Sequence, residues 1–92
     1  MMAKILVPTA LRSFTDRQAE ISLPGNTVQA LLQALTDQYP DLRAHLYGDD
    51  GTLRPFINVF VGEENIKNKN GLQTPVADGE SVLLIPAIAG GK

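Results

Sequence analysis

The chain has 92 residues, enough for one small domain with one compact core. With 43% hydrophobic and 20% charged residues it is neither a disordered segment nor a membrane span, and a formal charge of −2 argues against nucleic acid as a partner. There is no cysteine, which removes disulfides, thiolate zinc sites, iron–sulfur clusters and thiol nucleophiles.

The opening apolar run ends by Arg12-Ser13, too short for a signal h-region, and no stretch approaches the roughly 20 apolar residues of a membrane helix. The expectation is a soluble, cytoplasmic protein with no membrane partner. Ala3 to Val7 is short, apolar and β-branched, and Pro8 closes it; it reads as a buried or central strand. Thr9 to Gln18 reads as a loop or wide hairpin connection. Ala19, Ile21 and Leu23 then alternate with Glu20 and Ser22, the period of a half-buried strand. The two strands suggest an antiparallel hairpin.

Pro24-Gly25 ends the second strand, and Asn26 or Thr27 offers a side-chain oxygen to cap a helix. Val28, Leu31, Leu32 and Leu35 follow at i, i+3, i+4 and i+7, which sets four branched apolar side chains on one helix face. Pro40 disfavours helical geometry at the residue before it, so the helix stops near Gln38 or Tyr39. Leu42, His45 and Leu46 suit one short helical turn, and Gly48 to Gly51 a turn or loop tip.

From Phe56 to Val61 the chain is β-rich. Ile57, Val59 and Val61 share one face; Phe56, Asn58 and Phe60 share the other. Asn65-Ile66-Lys67 reads as a short edge strand, Leu72 as an isolated core contact from a loop, and Ser81 to Pro86 as the last strand. The order β-β-α-loop-β-(β)-β gives an α+β domain, residues 1–86: a mixed sheet of four to five strands with one main helix on one face. If Ile57, Val59, Val82 and Leu84 face the helix, then Phe60, Leu83 and Ile85 lie on the open face. Such residues suit a protein–protein contact; the alternative is cover by loops.

No catalytic constellation stands out. His45 is the only histidine, so no His-pair metal site can form, and it sits in a surface turn. Asp49-Asp50 and Glu63-Glu64 are adjacent pairs, which do not converge on one point; they read as solvated turns, although Glu63-Glu64 can attract a basic partner. There is no Gly-rich phosphate loop. The chain reads as a non-enzyme.

The exception is the end. Gly90-Gly91 follows the last strand closely, and residues 87–92 can reach about 20 Å at about 3.3 Å each. A flexible tail without side chains near its end can enter a narrow tunnel and deliver a carboxylate to another protein's active site. The alternative is a frayed terminus.

At this point the chain resembles the ubiquitin-like sulfur-carrier family that contains MoaD, ThiS and CysO. The resemblance rests on Ala77-Asp78-Gly79-Glu80-Ser81 through Pro86-Ala87-Ile88-Ala89-Gly90-Gly91, on the helix start Asn26-Thr27-Val28, and on Arg54-Pro55-Phe56-Ile57-Asn58-Val59-Phe60-Val61. Ile5-Leu6-Val7-Pro8 and the end of the chain are most similar to the CysO branch. The resemblance implies a β-grasp fold and a carrier: an E1-like enzyme adenylates the C-terminal glycine, here Gly91, with ATP, and a sulfur donor converts it to a thiocarboxylate. It implies an acceptor enzyme, either a PLP-dependent enzyme of the cysteine-synthase type or the large subunit of molybdopterin synthase. Phe60, Leu83, Ile85 and Ile88 are the expected partner-binding residues. Lys92 departs from the family pattern, in which Gly-Gly is terminal; the resemblance offers a zinc-dependent JAMM-type peptidase to remove it. No cofactor is expected on the chain itself: ATP, PLP and zinc belong to the partner enzymes. Ubiquitin-like modification of proteins and a non-covalent adaptor role are the other readings.

Overall fold

The computed structural model describes residues 2–54 and 57–86. Five strands form one sheet: β1 (Met2–Leu6), β2 (Glu20–Pro24), β3 (Ile57–Val61), β4 (Glu64–Asn65) and β5 (Ser81–Pro86), in the order β2-β1-β5-β3-β4. β1 and β5 pair in parallel at the centre, with Leu6 beside Leu83. The other pairings are antiparallel. The main helix α1 (Val28–Gln38) covers one face, and a short helix, α2 (Arg43–Leu46), follows it.

α1 forms where the four-residue apolar spacing demands it. Val28, Leu31, Leu32 and Leu35 are fully buried. Thr27, in extended geometry, accepts the Ala30 N–H on its side-chain oxygen at 3.1 Å, so it and not Asn26 caps the helix. The last turn closes when the Tyr39 N–H donates to the Leu35 carbonyl, and Pro40 follows. Against this face pack the inward side chains of the sheet: Ala3, Ile5, Ile21, Leu23, Ile57, Val59, Val61, Val82 and Leu84. Leu42 and Leu46 are fully buried in the core, as the short-turn reading requires, and Leu72 packs against it from a short 3₁₀ helix, Gly71–Gln73, rather than from a loop.

Gly25 links β2 to α1 at φ +152°, and a Cβ there would meet Ala30 Cβ at 3.1 Å and the Leu31 backbone nitrogen at 3.2 Å. Both the conformation and the space favour glycine. Gly25→Ala should therefore lower stability by about 1–3 kcal/mol in a urea titration. A neutral result would mean that α1 can move off β2 freely.

Several elements differ from expectation. The connection after β1 is not a loop throughout: Thr9–Phe14 winds into a 3₁₀ helix that buries Leu11. The Arg12 Nε donates to the Val7 carbonyl at 3.0 Å and holds this segment against the strand end. β2 starts at Glu20, so Ala19 is exposed and only Ile21 and Leu23 carry the inward alternation. The edge strand is Glu64–Asn65 and stops before Ile66. The Asn65 side chain accepts the Lys67 N–H at 2.9 Å, which turns the chain into a 3₁₀ helix and drives Ile66 into the core. Phe56 lies outside the described residues.

Candidate carrier face and strand end

Side chains alternate across a strand, so burying Ile57, Val59, Val82 and Leu84 under α1 forces their neighbours outward. Phe60 and Leu83 are register partners on the open face, and Leu83 is also the partner of Leu6 on the far side. The result is a continuous apolar row, Leu6–Leu83–Phe60, across the three central strands. Ile85, opposite Asn58 and 41% exposed, extends it towards the C-terminal end of β5. The ion pairs Lys4–Glu20 at 3.3 Å and Glu64–Lys69 at 3.6 Å stand towards the two edges of the sheet.

Three expected partner-binding residues, Phe60, Leu83 and Ile85, thus sit together on the face opposite α1, Ile85 exposed and the other two half-buried. The fourth, Ile88, and the terminal Gly90, Gly91 and Lys92 lie outside the described residues. One member of the face, Leu6, and one contact on it, between Asn58 and Asn65, were missed from the sequence. Leu6 was hidden inside an apolar run in which every position looks buried; its parity with Ile5 was the available signal. Asn58 and Asn65 meet only through the β3–β4 pairing, where the Asn65 Nδ2 donates to the Asn58 Oδ1 at 3.3 Å.

The polar residues considered as chemistry are dispersed. His45 is exposed on α2, its ring 4.1 Å from that of Phe14. Glu63 is exposed in a turn. Asp50 accepts the Thr52 hydroxyl at 2.7 Å and its N–H at 3.1 Å, which holds its carboxyl below the usual range. Burial pushes the Tyr47 phenol up, with the Arg43 guanidinium, 5.3 Å from its ring, pulling the other way. Among the described residues there is no pocket, and no group of three His, Asp or Glu side chains is placed to hold a metal ion. No described helix is long and apolar enough to cross a membrane.

A mixed sheet with parallel terminal strands at its centre and one helix laid across a single face defines a β-grasp protein of the ubiquitin-like class. The chain belongs to the ThiS family of ubiquitin-like sulfur carriers, whose family model matches residues 5–91. It is 36% identical over 93 residues to the sulfur carrier protein CysO of Mycobacterium tuberculosis, covering 99% of this chain and all of that one. Its fold is similar to the crystal structure of the BexX/CysO complex of Amycolatopsis orientalis: TM-score 0.87 and 30% identity, over 97% of this chain and 99% of that one. It is also similar to the small archaeal modifier protein SAMP1 of Haloferax volcanii: TM-score 0.86 and 26% identity, over 99% and 100% of the two chains.

Proposed function

We propose that this chain carries sulfur as a thiocarboxylate on Gly91 and donates it in a biosynthesis of the cysteine or homocysteine type. The reading is carried by one observation: the outward residues Leu83 and Ile85 carry the apolar row along β5 almost to its last residue, Pro86, five residues before Gly91. A partner that covers Phe60, Leu83 and Ile85 is placed to receive the segment that follows Pro86. The full-length similarity to CysO supports the same assignment.

The chemistry follows from the weakness of a carboxylate as an electrophile. An E1-like enzyme transfers AMP from ATP to the Gly91 carboxylate and releases pyrophosphate. The acyl-adenylate now has a good leaving group. A sulfide equivalent attacks the acyl carbon, AMP departs, and the thiocarboxylate remains. Its soft sulfur then adds to an activated acceptor, such as an aminoacrylate held by a PLP-dependent enzyme. A chain without cysteine offers no internal thiol to compete for that sulfur.

Activation requires Gly91 to be the last residue, so the Gly91–Lys92 bond must be hydrolysed first. A zinc-dependent JAMM-type peptidase suits that step. ATP, PLP and zinc all reside on partners in this scheme, and the chain itself is substrate and carrier, not enzyme, working in the cytoplasm. The similarity to small archaeal modifier proteins favours a second reading, in which the activated Gly91 is passed to a target lysine. Transfer to molybdopterin synthase is a third route for the same thiocarboxylate.

The test is intact-mass spectrometry of protein ending at Gly91, incubated with an E1-like enzyme, ATP and sulfide. The expected product has one oxygen replaced by sulfur. An unchanged mass, with the enzyme shown active on its own carrier, would remove every carrier reading. A chain that keeps Lys92 in its native cells under sulfur demand would remove the processing step.

A further inference from the structure

We infer that Asn58 is the polar anchor of the open face, donating a hydrogen bond from its Nδ2 to a main-chain carbonyl of the adenylating enzyme. The inference rests on the carrier reading above and names the contact that sets the partner's register on the sheet.

The orientation of the Asn58 amide is determined by a relay. The Lys67 backbone N–H can only donate, and it points at the Asn65 side chain at 2.9 Å, so the atom it meets is Oδ1. The Asn65 Nδ2 must then be the atom that faces Asn58. It donates to the Asn58 Oδ1 at 3.3 Å. The Asn58 Nδ2 is therefore turned away from β4. No described residue accepts a hydrogen bond from it, and no buried side-chain nitrogen or oxygen among the described residues lacks a partner, so this donor reaches the surface.

Its position gives the donor its use. Asn58 is the register partner of Ile85, one residue before Pro86 ends β5, and Phe60 lies on the same face two residues along β3. A donor-only group is thus set at the edge of an apolar row, beside the strand end from which residues 87–92 continue. An enzyme that docks on the apolar row while taking that segment into its own site covers this edge. Covering it with a purely apolar surface would strand the Asn58 N–H groups without water. Covering it with a surface that carries one carbonyl oxygen satisfies them and rejects a partner shifted by a residue.

The experiment measures pyrophosphate exchange by the E1-like enzyme, with protein ending at Gly91 as the varied substrate. Asn58→Asp keeps the shape and replaces the outward donor with an acceptor; Asn58→Ala removes it. Each should raise KM for the carrier by about tenfold or more and leave kcat near the wild-type value. Asn65→Asp leaves Asn58 untouched, still accepts the Lys67 N–H, and presents an oxygen where Nδ2 was. It should flip the Asn58 amide and raise KM as Asn58→Asp does, whereas Asn65→Ala should have a smaller effect. Folding is checked by circular dichroism, and a variant that does not fold is replaced in the argument by the others of the set. KM within twofold of wild type for the folded Asn58 variants would overturn the inference. Wild-type protein that supports no exchange would instead overturn the carrier reading.

Discussion

Leu31→Ala is expected to destabilise the protein by about 2–5 kcal/mol. Leu31 is completely buried on α1 within the single core that the helix and sheet share. Removing its branched end costs the transfer free energy of the lost groups and leaves a void. A chain of 92 residues has a total stability of only about 5–14 kcal/mol, so this loss is a large fraction of it. The thermal midpoint should fall by roughly 4–8 °C for each kcal/mol lost. Gln33→Ala, on the exposed side of the same helix, is the control and should change stability by less than about 0.5 kcal/mol. A Leu31→Ala loss below about 1 kcal/mol would show that α1 is not docked as described.

Phe60→Glu addresses the opposite face. Phe60 pairs with Leu83 at the middle of the apolar row, and α1 lies on the other side of the sheet. A carboxylate there would have to be desolvated beneath any partner that covers the row. Binding to the E1-like enzyme, measured by calorimetry, should weaken at least about 30-fold, the ratio that corresponds to about 2 kcal/mol. Stability should change by about 1 kcal/mol, since the core residues Val59 and Val61 on either side are untouched. Ile85→Glu, at the more exposed end of the row, should weaken binding with a smaller change in stability. If either variant unfolds the protein while Leu31→Ala does not, the assignment of the two faces is reversed. Unaltered binding by both would place the partner elsewhere.

Much of this architecture was legible because one period dominated each element. The 3.6-residue spacing of Val28, Leu31, Leu32 and Leu35 has one physical solution in water, a helix laid on an apolar surface. Once Ile57 and Val59 are assigned inward, the pleat sends Phe60 outward without further information. Segments governed by local hydrogen bonds were less legible. The 3₁₀ helix at Thr9–Phe14 has too short an apolar pattern to stand out, only Leu11 buried and Phe14 partly buried against the core, with an Arg12 bond to Val7. The edge strand ended early because the Asn65 side chain captured a backbone N–H, a competition that hydropathy does not register. The Asn58–Asn65 pair was illegible for another reason: seven residues apart in the chain, they meet only through a strand pairing and a tight turn at Gly62. The sites that pattern reading misses here are those made by pairing rather than by period.

The central pairing of β1 with β5 has a consequence for how the protein is made. Met2–Leu6 leaves the ribosome before Ser81–Pro86, with the rest of the sheet and α1 made between them. Until β5 arrives, β1 and β3 have no shared neighbour and the core lacks Val82 and Leu84. The sheet is therefore completed only after synthesis has passed Pro86, and folding is dominated by contacts distant in sequence. The strand that completes the fold is the same one that precedes Gly90-Gly91 in the sequence. On the proposed reading, a chain cut short before Pro86 lacks both the finished sheet and Gly91, so an enzyme that recognises the folded face would not take it up.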